Sequence, residues 1–132
     1  MKALLIIALL GTALCCDAGT VVQCAIEQLD KPYQWGKEGP DSFDCSGLVR
    51  FCYLRAGIDL PHHAASQAGY GTTVSDYQPG DLLFFSKGNT IDSINHVAIY
   101  VGNNQYIEAP SKNLNVRYKD MGRTVFLAKR IC

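Results

Sequence analysis

Cys45 and His96 are the two residues whose types and settings could do chemistry together. Cys45 falls in Phe43-Asp44-Cys45-Ser46-Gly47-Leu48-Val49, after the turn-forming run Pro40-Asp41-Ser42. The segment that follows, Val49 to Ala56, has the pattern of a helix closed by Gly57. Cys45 is therefore expected in a first helical turn, with Asp44 or Ser42 as cap. Unpaired backbone N–H groups and the positive end of the helix dipole favour a thiolate there, a nucleophile near neutral pH. On this stretch alone, a small buried core residue or half of a disulfide fits equally well. His96 opens the apolar run Val97-Ala98-Ile99-Tyr100-Val101. A lone histidine entering a strand is usually structural, but beside a cysteine at a helix start it can serve as the base that takes or shares the thiol proton.

Both residues need elements to hold them. Apolar residues at Val21, Val22, Cys24, Ala25, Ile26 and Leu29 predict a helix over 20–29, stopped by Asp30-Lys31-Pro32. A polar loop carrying Tyr33, Trp35 and Gly36 leads to the Cys45 helix, and 64–68 fits one short helical turn. From Gln78-Pro79-Gly80 onward the period becomes that of strands. Runs over 81–86 and 97–101 are followed by Gly102-Asn103-Asn104, a hairpin turn, and by a returning strand over 105–109. Further strands are expected over 115–118 and 124–129. Helices first and an antiparallel meander after them predict an α+β fold, N-terminal helices packed on an antiparallel sheet.

The 132 residues suffice for one compact domain, and 48% hydrophobic with 18% charged residues suits a globular chain. Formal net charge is zero and there is no basic stripe, so nucleic-acid binding has no electrostatic footing. Met1-Lys2 followed by apolar 3–14 has the form of a secretory signal peptide, too short to span a bilayer. Cleavage is expected near 15–18, which divides the chain into a leader, 1–18, and a mature domain, 19–132, exported and without a membrane span. Cys24, Cys45, Cys52 and Cys132 remain in that domain. Four cysteines allow three pairings. If Cys45 stays reduced, one bridge at most is left, and Cys24 with Cys132 is the expected pair. No C-x-x-C stands near a histidine, so no metal site is expected.

Nucleophile before base, on a helix packed against a sheet, is the order of papain-like cysteine hydrolases. The chain resembles the NlpC/P60 family of cysteine peptidases in particular. The matching stretches are Tyr33-Gln34-Trp35-Gly36, the segment 43–49 around Cys45, Gly57 with Leu60-Pro61, Gln67, Pro79 to Phe85, and His96 to Gly102. They occur in family order over nearly the whole mature chain. The resemblance implies Cys45 as nucleophile, His96 as base, and Tyr33 across the cleft as an aid to polarising the scissile carbonyl. The third catalytic position, most often histidine, falls on Glu108, a departure from the pattern. A carboxylate can also orient an imidazole and stabilise its cation, although a solvated strand residue is the plainer reading. Asp44 and Ser46 are implied as the receivers of the free amine of an L-Ala residue. Trp35, His62 and His63 complete the candidate substrate-binding set. Trp35, like Phe43, reads first as a packing residue, and the two histidines first as exposed loop residues. Where the family commonly has arginine after the proline, this chain has His62, and Ala64 removes a hydroxyl.

The implied activity is a secreted, monomeric peptidoglycan endopeptidase without cofactor, cutting stem peptides or muropeptides between γ-D-Glu and the third-position diamino acid. A muramoyl–L-Ala amidase and a catalytically silent binder of wall fragments are the alternatives, the second raised by Glu108 and the His62-His63 segment.

Overall fold

The computed structural model describes residues 16–132, so the leader expected over 1–18 lies almost wholly outside the described residues. Helix α1 (Ala18–Glu27) begins at Asp17, whose carboxylate accepts from Gly19 N–H. Helix α2 (Cys45–Arg55) begins at Asp44, whose side chain accepts from Gly47 N–H, so Asp44 rather than Ser42 is the cap. It ends as its composition predicts. Gly57, at φ +89°, carries the chain through the left-handed region. Ile58 N–H reaches back to the Tyr53 carbonyl and Gly57 N–H to that of Leu54, which satisfies the last turn. A single turn, α3 (Ala64–Gln67), follows.

Six antiparallel strands form one sheet. They are β1 (Thr72–Thr73), β2 (Leu82–Ser86), β3 (Ile94–Gly102), β4 (Gln105–Glu108), β5 (Arg117–Asp120) and β6 (Leu127–Arg130), in the spatial order β1-β6-β2-β3-β4-β5. The meander expected from the sequence is present from β2 to β5. The last strand departs from it by returning to lie between β1 and β2, where Leu83 pairs with Ala128. Strand β5 starts two residues later than expected, because Asn115 instead bridges Pro32 in the loop before Cys45. A short 3-10 turn, Ile91–Ser93, leads into β3 and lengthens that strand to include His96.

Strand β2 reads as a continuous apolar run because both of its faces are covered. Leu82 and Phe84 join Val21, Leu48, Val49, Cys52, Val97 and Ile99 in the main core under the helices. Leu83 and Phe85 point the other way, to Ala98, Tyr106 and Ala128, with Val74, Tyr77 and Tyr100 packed over them. Two polar contacts fasten the helical layer and the far strand to the Pro79-Gly80-Asp81 corner. Tyr53 donates its hydroxyl to the Gly80 carbonyl at 2.5 Å. Arg130 on β6 holds the buried Asp81 carboxylate with two N–H groups, at 3.0 and 2.9 Å.

The expected Cys24–Cys132 bridge is not the one observed. Cys24 pairs with Cys52, with Cα atoms 5.4 Å apart, and Cys132 pairs with Cys16, at 4.9 Å. Cys24 sits on the buried face of α1 and meets the buried face of α2, so its partner is its neighbour across the helix contact. Cys16, inside the expected leader, takes part in the fold through this bridge, so the disulfide-forming cysteines begin earlier than the expected cleavage bound implies. No helix among the described residues is long and apolar enough to cross a membrane.

Candidate active site

Cys45 is the first residue of α2, half-buried, and the one unpaired cysteine among the described residues. The sequence around it is dictated by crowding. A Cβ on Gly47 would run into the Lys37 carbonyl oxygen and stand 2.9 Å from both Asp44 Oδ1 and Glu38 Cα, so only glycine fits two residues after Cys45. Gln67, fully buried, donates its amide to the carbonyls of Ser46, at 3.0 Å, and Pro61, at 2.8 Å. It thereby ties the first turn of α2 to the segment bearing His62.

His96 and Glu108 come together on the hairpin of β3 and β4. That register pairs Ile99 with Ile107, which brings Glu108 within a diagonal step of His96. His96 Nε2 lies 2.7 Å from Glu108 Oε1, with both side chains buried. The plain reading of Glu108 as a solvated residue is therefore excluded. The second oxygen, Oε2, accepts from Arg117 Nε at 3.0 Å, directly across from Glu108 on β5. Phe85 packs against the imidazole, 5.6 Å between ring centroids.

With Nε2 held by Glu108, Nδ1 is the nitrogen left for Cys45. Burial alone would lower the pKa of His96, but hydrogen bonds to Cys45 and Glu108, and their negative charge, outweigh it and push His96 up to about 9. Burial works upward on Glu108, yet the hydrogen bonds and positive charges of His96 and Arg117 hold its carboxyl below the usual carboxylate range. The arrangement favours an imidazolium at His96 backed by the Glu108 carboxylate. Partial burial, and secondarily the charges of Cys45 and Asp44, raise the Tyr33 phenol, which therefore stays a proton donor.

A cleft of about 470 Å³ opens over Cys45, lined by Tyr33, Trp35, Gly36, Asp44, Ser46, His62, His63, Ala64, Ile94 and Asn95. Of the expected substrate-binding residues, all five line it, though not all are free to bind. Asp44 accepts from Gly47 N–H at 2.8 Å and Gly36 N–H at 2.9 Å, and its Oδ1 lies 2.7 Å from His62 Nε2. His62 is half-buried rather than an exposed loop residue, and its Nδ1 faces Glu38 Oε2 at 2.9 Å. His63 is exposed and caps α3, accepting from Ser66 N–H. Trp35 is 83% exposed and not a packing residue, whereas Phe43 is fully buried against Phe51. Arg117 and Glu38 had no signal of their own in the sequence, because each is identified only by its partner across a turn or strand. No group of three or more metal-ligating side chains occurs among the described residues.

The description "NlpC/P60 family" belongs to the family model that matches residues 30–131. The chain belongs to the NlpC/P60 family. A Listeria monocytogenes protein described as "Probable endopeptidase p60" is 44% identical over 91 residues, which is 67% of this chain and 18% of that protein. The chain thus spans less than a fifth of that relative's length. Among solved structures, an NlpC/P60 family protein from Bacillus cereus superposes with a TM-score of 0.82 at 27% identity, covering 89% of this chain and 41% of the other. The NlpC/p60 domain of the peptidoglycan hydrolase SagA superposes at 0.80 with 32% identity, covering 86% of this chain and 98% of that domain. The NlpC/P60 layout expected from the sequence, helices on an antiparallel sheet in papain-like order, is the fold observed.

Proposed function

We propose that this NlpC/P60 domain is a cysteine endopeptidase that cuts peptidoglycan stem peptides between γ-D-Glu and the third-position diamino acid. The observation that carries the reading is the buried His96–Glu108 pair, 2.7 Å apart, set beside an unpaired Cys45 at a helix start. The peptidoglycan hydrolase with which the fold superposes supports the choice of substrate. The Cys45 thiolate adds to the γ-carbonyl carbon of D-Glu, and the C=O electrons move onto oxygen. Cys45 N–H, at a helix start without an intrahelical acceptor, and the Tyr33 hydroxyl are positioned to meet that oxyanion. Collapse to the thioester breaks the C–N bond as His96 gives its proton to the leaving amine. His96 then takes a proton from water as its oxygen attacks the thioester, and collapse of that adduct frees the carboxylic acid and the Cys45 thiolate.

Export belongs to the same reading. The leader-like residues 1–14 and two disulfides suit an oxidising compartment. The Cys16–Cys132 bridge favours cleavage at the start of the 15–18 window, before Cys16, which N-terminal sequencing of the exported protein would read directly. The deciding experiment is mass spectrometry of defined muropeptides incubated with the wild type and with Cys45→Ala. Release of the L-Ala–D-Glu end by the wild type alone supports the endopeptidase. A free stem peptide beginning at L-Ala would instead identify an amidase, and no cleavage by either protein would overturn catalysis.

A further inference from the structure

Glu108 stands between two cations, and only one of them is permanent. Its Oε1 lies 2.7 Å from His96 Nε2, and its Oε2 accepts from Arg117 Nε at 3.0 Å. Arg117 keeps its charge at any working pH. His96, on the endopeptidase reading, gives up and regains a proton in every turnover. With Glu108 4% and His96 6% exposed, the proton between them has two places to rest. On Nε2 it makes an imidazolium beside a carboxylate. On Oε1 it makes a neutral ring beside a carboxylic acid, the form that burial favours because neither group is then charged. The two forms differ in what Nδ1–H can do. The imidazolium is an acid strong enough to protonate a leaving amine, and the neutral ring is not.

A cation fixed at Oε2 decides between them. Arg117 lies directly across from Glu108 in the β4–β5 register. Its one side-chain hydrogen bond among the described residues goes to that carboxylate, and it does not line the cleft over Cys45. The Arg117 side chain is 41% exposed, so water solvates its charge while Nε reaches the buried oxygen. The other groups facing the pair do not supply this. Cys45 from α2 is an anion when ionised. Tyr106, two residues before Glu108 on β4, has a phenol raised chiefly by burial and is neutral near pH 7. Lys119 of β5 lies across from Tyr106, and Arg123 stacks on Phe85 of β2, 4.6 Å from its ring centroid, on an apolar ring that packs against His96.

We infer that Arg117 is a positioning residue of this site: its fixed charge at Oε2 keeps Glu108 a carboxylate, and thereby keeps His96 an imidazolium able to protonate the leaving amine. The inference rests on the endopeptidase reading and adds to it a residue that acts only through Glu108.

The test replaces Arg117 by glutamine, which can still donate to Oε2 but carries no charge, and by lysine, which restores the charge. Arg117 makes a single bond through Nε, so lysine forfeits no bidentate geometry. In the Cys45→Ala protein, where no thiolate competes, NMR follows the Glu108 carboxyl carbon and the His96 ring nitrogens against pH. Arg117→Gln should move both titration steps of the pair to higher pH, by about half a unit or more, and Arg117→Lys should leave both near the parent values. With Cys45 intact and a defined muropeptide as substrate, Arg117→Gln should lower kcat about tenfold at unchanged KM, and Arg117→Lys should recover most of it. A merely structural ion pair would change Tm alone. Unmoved steps in Arg117→Gln, a fall of the upper step, a kcat within twofold of wild type, or a lysine variant that behaves like the glutamine one would overturn the inference. If the wild type cuts no muropeptide, the endopeptidase reading fails on its own, and the titration in Cys45→Ala still decides whether Arg117 sets the charge of the pair.

Discussion

Replacing Glu108 with glutamine keeps the shape of the side chain and removes its charge. Arg117 can only donate, so the glutamine oxygen turns toward it and the amide is left facing His96 Nε2. The ring is then held in the wrong protonation pattern, and kcat should fall about a hundredfold or more with the fold intact. Turnover within twofold of wild type, with unchanged circular dichroism, would remove Glu108 from the mechanism. The pH profile carries a second prediction. His96 is pushed up to about 9, so kcat/KM should fall on the alkaline side near that value, as the imidazolium loses its proton. In Glu108→Gln that limb should move to lower pH, because one of the groups raising His96 has lost its charge. For stability the sign is the same. The His96 contribution is complete below the ordinary histidine value of 6.5 and is lost as pH rises through about 9. That of Glu108 is present above the ordinary carboxylate range and is lost in acid. At this scale the sequence was legible where chemistry is packed into a short motif. Cys45 and His96 could be picked out by combination, a cysteine at a helix start followed by a histidine at a strand start, although neither stretch decides alone. Arg117 could not, since its role depends on a register set across the loop 109–116, which no local pattern encodes.

Among elements, the short helix α3 does more than its four residues suggest. Through Gln67 it holds the Ser46 and Pro61 carbonyls together, and so holds the His62 segment against the helix that presents Cys45. Gln67→Ala leaves two buried carbonyls without their donor and opens a gap, at a cost of about 2 kcal/mol. A lower Tm with a reduced kcat is expected. A normal Tm by calorimetry together with full activity would show that the clamp carries no strain from site to core. Helices α1 and α2 and the β3–β4 hairpin were legible because period, cap and turn residues agree at each. Asp44 caps, Gly57 terminates, and Gly102 turns at φ +90°. The place of β6 was not legible. Its pairing with β2 is fixed by Ala128 packing beside Leu83 and by Arg130 reaching Asp81, contacts between residues about fifty positions apart.

For the whole molecule, the bridges set how much of the unfolded chain is constrained. Cys16–Cys132 spans 116 residues and Cys24–Cys52 spans 28. On chain-entropy grounds the longer is worth about 5 kcal/mol and the shorter about 3.5. The double variant Cys16→Ser/Cys132→Ser should therefore lose more Tm than Cys24→Ser/Cys52→Ser, and the reverse order in a thermal melt would show that local packing dominates. Five cysteines lie in 16–132, an odd number. Two bridges consume four of them, and the remainder by parity is Cys45. A chain beginning at Cys16 can then draw Cys45 into a disulfide only by borrowing a sulfur from outside, a small thiol or a second molecule, or by breaking one of its own two bridges. Silencing of Cys45 by disulfide formation should accordingly be a reversible, stoichiometric capping. A mild reductant should restore turnover while the melting curve stays where it was.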